Sequence, residues 1–169
     1  MMQHAIMIVG IAVGALFQLF LPVWPFFGGI KPPVLAALVL YYSLNRSSRD
    51  MWTAVFCAAL LHDGLDLGTF GPALISFPVI GYLAHRVRCE IFVDGIVTQV
   101  IVGGLGAMLA MSVTILVYAV NGQRPVQFGD AMLRIFGSCI LGMTTLPVVA
   151  YSIGKVVAAL PKRKGYGWQ

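Results

Sequence analysis

Three ionisable side chains set in an apolar stretch carry the chemical interest of this sequence. In the run MWTAVFCAALLHDGLDLGTFGPAL, from Met51 to Leu74, an apolar helical pattern leads into His62, Asp63 and Asp66. Gly64, Gly68, Gly71 and Pro72 follow at once. A charged group in hydrocarbon costs about 2.5–3.5 kcal/mol on insertion scales, so acids in such a setting call for a physical reason. Asp63 and Asp66 are three apart, which on a helix puts both carboxylates on one face. Such a pair can bind a cation, relay a proton, or pair with Arg or Lys from another helix. Lys31, Arg124 and Arg134 fall near the same end of the predicted helices and are the candidate partners. His62 projects elsewhere, about 100° round the helix.

Against these readings stands plain turn chemistry: Asp beside Gly caps and pins a turn. On that reading His62, Asp63, Asp66, Gly68 and Gly71 form a structural or partner-contact turn, and Asp63→Asn keeps most of its hydrogen bonding and is tolerated. The turn reading comes first, a partner or lipid contact second, and transport or catalysis last. The three residues lack HExxH or CxxC spacing, and the other histidines, His4 and His85, fall at the opposite face. There is no GxSxG, Walker loop or dinucleotide fingerprint. Cys57, Cys89 and Cys139 are far apart and odd in number, so they read as small core residues rather than a disulfide or metal framework. No metal, no cofactor and no enzymatic activity is expected.

The elements that position these groups follow from composition. The chain is 59% hydrophobic and 10% charged over 169 residues, with mean hydropathy +0.90, where soluble domains carry roughly 25% charged residues. This composition predicts a single integral membrane domain, a polytopic all-α bundle. The net charge of +5 reports topology and anionic-lipid contact rather than nucleic acid, for which no basic stripe with interleaved aromatics exists. The apolar N-terminal run lacks a basic leader and is too long for a signal peptide, so it reads as a retained first helix.

Six helices are predicted, over residues 5–24, 32–44, 51–67, 70–84, 91–120 and 131–156. Gly10 and Gly14, in GxxxG spacing, give the first a close-packing face. Pro22, Pro25 and Gly28-Gly29 end it beside an aromatic belt of Trp24, Phe26 and Phe27. The apolar part of the second, Val34 to Leu44, is eleven residues. Its length of about 16 Å is too short for a hydrocarbon core of about 30 Å, so it extends into the Pro-rich loop or bends inside the protein. Asp50 or a preceding serine is the candidate cap of the third helix. Gly103 and Gly106, with Gly104, Ala107 and Ala110, mark a close-packing face on the fifth.

Charge sets the orientation. With six crossings, Arg46, Arg49, Arg86, Arg88, Lys155, Lys162, Arg163 and Lys164 fall on one side, against Lys31, Arg124 and Arg134 on the other. The positive-inside rule makes the first side cytoplasmic, with both termini inside. The basic tail enforces topology and has anionic lipid or an acidic partner as further contacts.

Two runs carry a family resemblance: Pro22, Trp24, Lys31-Pro32, Leu35 and Leu38-Val39-Leu40-Tyr41-Tyr42, then Ala59-Leu60-Leu61-His62-Asp63, Leu65, Phe70-Gly71 and Ala73-Leu74. With the chain's size, they resemble the rod shape-determining protein MreD family over roughly Leu21 to Arg88. The chain departs from the family pattern at Pro33, where an acid or amide is common, at Ala59, where Gly is common, and in the additional acid Asp66. The resemblance implies a bacterial inner-membrane scaffold of the cell-elongation machinery. Such a protein associates with MreC and, through it, links the MreB filament to RodA and a class B penicillin-binding protein, regulating peptidoglycan synthesis and rod cell shape. It implies a bundle similar to the substrate-binding component of energy-coupling-factor vitamin transporters. That likeness supports an alternative, a small-molecule-binding transport component with an outward pocket contacted by Asp63, Asp66 or Trp24. Polar side chains in the outer half look scarce for that role.

Overall fold

A segment that is apolar on every side has no face to offer to solvent and must be enclosed. The segment after Pro33 is such a case, and the structure, a computed structural model describing residues 2–65, 71–88, 95–122 and 127–159, puts it at the centre. Helix α2 (Val34–Asn45) buries every residue except Tyr41 and Asn45 and touches all the other helices: α1 (Met2–Phe20), α3 (Ser48–Leu65), α4 (Pro72–Val87), α5 (Ile96–Val120) and α6 (Phe128–Ala159). Among the described residues there are six α-helices and no strand, only a single antiparallel bridge between Trp24 and Ile30. α2 does not extend into the Pro-rich loop. Its twelve residues make a rod of about 18 Å, and the chain reaches it through a short 3-10 turn at Pro25–Phe27 and the non-helical Lys31-Pro32-Pro33.

Several boundaries differ from expectation for local reasons. α1 stops at Phe20, short of Pro22, because a proline within the last turn lacks the N–H that would continue the ladder. α3 begins at Ser48, not Met51. The Ser47 carbonyl accepts the Met51 N–H, so Asp50 is no cap but lies inside the first turn, where a negative charge complements the exposed N–H groups. α5 begins at Ile96; residues 91–94 lie outside the described residues, as do residues 66 and 67 expected at the end of α3. α6 is longer than expected, 32 residues with Pro147 inside it, about 48 Å of helix.

The core holds large apolar side chains such as Ile11, Leu35, Met51, Ile80 and Leu146, while on α5 small residues face the neighbouring helices and large apolar ones face outward. α5 buries Gly103, Gly104, Gly106, Ala107 and Ala110 while exposing Ile96, Val97, Ile101, Leu105, Leu109 and Leu116. The small cluster is not one face. Gly103 lies on Gly142 of α6, so the two backbones touch, whereas Gly106 receives Leu40 of α2. The Ser138 hydroxyl donates to the Ala107 carbonyl at 3.0 Å and locks the same α5–α6 pair. On α1, Gly14 receives Leu38 and Gly10 lies near the Tyr42 hydroxyl, so the GxxxG pair packs on α2. Among the described residues, α5 and α6 are long and apolar enough to cross a membrane, and α1 and α2 are shorter apolar helices.

Candidate functional site

Antiparallel neighbours bring the end of α3 against the start of α4. There Asp63, 4% exposed, turns its carboxylate onto the first turn of α4. Oδ1 accepts the Ala73 N–H at 3.0 Å, and Oδ2 accepts the N–H groups of Gly71 at 3.0 Å and Leu74 at 3.1 Å. The local sequence explains this geometry. Gly71 sits at φ +131°, a region that favours glycine. Pro72 occupies the first helical position, where its missing N–H costs nothing. The remaining orphan donors of the helix start then converge on one acceptor group. Three of the carboxylate's roughly four acceptor directions are thereby filled, with the helix dipole favouring the charge.

His62 does not project away as expected. Its Nδ1 lies 3.9 Å from Asp63 Oδ1, and its ring meets Phe77 edge-on at 5.4 Å between centroids. Side-chain torsions carry the imidazole back over the turn, a freedom that a count of helical angles omits. Asp66 and Gly68 lie outside the described residues, so the two-carboxylate face has no described geometry. Of the proposed basic partners, Arg124 also lies outside them. Lys31 and Arg134 are present at this end, yet Asp63 takes backbone N–H groups instead.

What joins these groups is a cavity of about 380 Å³ between the ends of α1, α3 and α5 and the starts of α2, α4 and α6. His62, Asp63, Lys31 and Arg134 all line it, and Ser76, Thr114 and Tyr118 add hydroxyls. Much of the polar lining already serves the fold. Gln18 Oε1 accepts the Leu35 N–H at 2.9 Å and so caps α2, and the Thr114 hydroxyl donates to the Ala110 carbonyl at 2.9 Å. The Lys31 ammonium reaches the Leu19 carbonyl at 3.4 Å, a long contact. Among the described residues no hydrogen bond or ion pair engages the Arg134 guanidinium. It is held in place by Gly28, whose left-handed conformation lets the chain turn against the Arg134 stem. Sequence reasoning placed Lys31 and Arg134 at the same end as His62 and Asp63, but as ion-pair partners, and missed Gln18, Ser76, Thr114 and Tyr118, because single polar residues on separate helices carry no spacing signal. Trp24 is not part of the lining; it is exposed and packs on Phe27.

The basic residues sit at the other end. The His85 ring bridges two segments: its Nδ1 donates to the Ser43 carbonyl at 3.0 Å, which leaves Nε2 facing the Ser48 hydroxyl at 2.9 Å. Arg88 donates to the Arg46 carbonyl, tying the end of α4 to the α2–α3 loop. Arg86 reaches the Tyr82 hydroxyl at 3.3 Å, and Arg49 is exposed. Lys162, Arg163 and Lys164 lie outside the described residues.

No metal-ligating cluster of His, Cys, Asp or Glu occurs among the described residues. Cys57 and Cys139 are free, half-buried thiols, and Cys89 lies outside the description. No protein-family model matches the chain, and neither a curated protein nor a solved structure matches it.

Proposed function

We propose that the chain is a membrane-embedded, non-catalytic scaffold of the MreD type, which binds an MreC-like protein and through it helps organise peptidoglycan synthesis and rod shape. The observation that carries the non-catalytic part is the commitment of Asp63. A carboxylate whose two oxygens accept three backbone N–H groups at the start of α4 has little hydrogen-bonding capacity left to hold a substrate. The partner assignment rests on the resemblance over Leu21 to Arg88, whose central Asp63 and Gly71 are the residues joined by hydrogen bond at the α3–α4 turn.

Membrane embedding draws support from the distribution of size and charge. Large apolar side chains such as Phe17, Phe20, Leu105 and Phe136 face outward while glycines and alanines pack the helix contacts, the pattern of helices that associate in lipid by close approach. Arg46, Arg49, Arg86, Arg88 and Lys155 gather at one end, which we assign to the cytoplasm of an inner membrane with both termini inside. The test is co-expression with an MreC-like protein, one partner tagged, and co-purification in detergent. A stoichiometric complex is expected; well-folded protein that captures no partner overturns the scaffold reading.

One observation favours the second reading, a small-molecule-binding transport component: the cavity at the end away from the basic cluster. Its volume falls in the range of small-molecule sites, about 300–1,000 Å³. Purified protein that carries no small molecule, and gains no thermal stability with candidate vitamins, counts against it.

A further inference from the structure

The cavity has a sign. Two permanent cations line it, Lys31 and Arg134, together with the protonatable His62. The one carboxylate in the lining among the described residues, Asp63, has both oxygens turned to the α4 N–H groups. The nearest other described acid on α6, Asp130, is exposed one turn before Arg134 and makes no ion pair with it among the described residues. A half-buried guanidinium without a partner among the described residues is a poor element of a folded bundle unless something else satisfies it, since burying an unmatched charge costs several kcal/mol in principle. Its planar fork matches an oxyanion bidentately, and an ammonium supplies the second point of charge. Apolar side chains, among them Phe77 and Met111, complete the lining.

We infer that this cavity is a binding site for a phosphate-type oxyanion attached to an apolar remainder, held by Arg134 and Lys31 with His62 alongside. The apolar wall takes the remainder. Two sources share this chemistry, the phosphate of an anionic lipid headgroup and a free phosphorylated molecule. The inference does not depend on the scaffold reading, because the chain binds the anion alone; failure to capture a partner and failure to bind phosphate are separate results.

The test uses the full chain. In a neutral detergent its thermal unfolding is followed against sodium phosphate, with sodium chloride at matched ionic strength as reference. In parallel, the protein is placed in nanodiscs of phosphatidylcholine doped with phosphatidylglycerol, and the lipids retained on release are identified by native mass spectrometry. Saturable stabilisation by phosphate beyond chloride assigns the site to a free anion; selective retention of phosphatidylglycerol assigns it to a headgroup. In either case Arg134→Gln weakens the response by about tenfold or more, the loss of a charge-assisted contact. Lys31→Gln weakens it in the same direction and, being at an exposed position, keeps the test open if the arginine variant does not fold. Arg49→Gln, at the other end, leaves it unchanged. Absence of both responses in the wild type, or a response that neither cavity variant alters, overturns the site.

Discussion

Replacing Asp63 tests how much of the α3–α4 turn depends on one side chain. Asp63→Ala leaves the N–H groups of Gly71, Ala73 and Leu74 without their acceptor. Each buried donor left unsatisfied costs about 1–3 kcal/mol. The three share one group, and water from the adjoining cavity can reach part of the turn, so the sum is not additive; a total of about 3–5 kcal/mol is expected. Asp63→Asn is the sharper case, and here the structure revises the simple turn reading. Because both carboxylate oxygens accept, an amide must place its NH₂ against at least one N–H donor. Asparagine therefore keeps one acceptor and creates a donor–donor conflict, at about 2–3 kcal/mol. At roughly 2–4 °C per kcal/mol for a chain of this size, the alanine variant melts about 6–20 °C below wild type and the asparagine variant about 4–12 °C below it. Scanning fluorimetry of the purified protein in one detergent measures both. If both variants melt within a degree of wild type, the carboxylate does not hold the turn.

Three further outcomes follow from the packing. Gly142→Ala drives a methyl into the Gly103 carbonyl and Ala107, which should lower stability by about 1–3 kcal/mol through overpacking, whereas Gly129→Ala, with open space around it, should leave the melting temperature unchanged or slightly raised. Gly64→Ala, near the end of α3 and with nothing within 4 Å of an added Cβ, should stabilise by about 0.5–1 kcal/mol through helix propensity, read as a small rise in melting temperature. His85→Ala removes the ring that joins Ser43 and Ser48. It should cost about 1–2 kcal/mol and increase hydrogen exchange at the α2–α3 loop; unchanged exchange there would show that Arg88 holds the loop alone.

The helical architecture was legible because it rests on local pattern. Six apolar stretches separated by prolines, glycines and short polar loops specify six helices whatever their tertiary arrangement. The position of α2 was legible only indirectly. Its short, uniformly apolar run reads as an incomplete span, but the same absence of a polar face is what a fully enclosed helix requires. Asp63 was legible as a turn residue from its glycine neighbours, although the donors it meets lie up to eleven residues further on. The cavity was legible only in part: Lys31, His62, Asp63 and Arg134 fall near one end in the sequence, and the transport alternative supposed a pocket at Asp63, but the rest of the lining was not legible. Gln18, Lys31, His62, Ser76, Tyr118 and Arg134 come from segments spread along most of the chain, and each alone looks like an ordinary polar residue near a helix end. Gly142 was missed for a related reason: its importance lies in the backbone opposite it, Gly103, and in no feature of its own helix.

The two kinds of residue at the cavity end of the bundle therefore divide the work in a way that inverts their prominence. Asp63 draws attention as a charge in an apolar run, yet its oxygens are bound to backbone N–H groups and its substitution disturbs the fold first. Lys31 and Arg134 stand out in the sequence only as possible partners of the acids, yet they line the cavity, Lys31 with a single long contact and Arg134 with no hydrogen bond or ion pair among the described residues. The carboxylate also lines the cavity, so it contributes to the field at Lys31 and Arg134. An Asp63 variant thus changes both turn and cavity and cannot separate them. Arg134→Gln can, since among the described residues its guanidinium holds no helix end, and Lys31→Gln gives up only the long contact to the Leu19 carbonyl; any loss of anion response they cause with an unaltered melting curve belongs to the cavity itself.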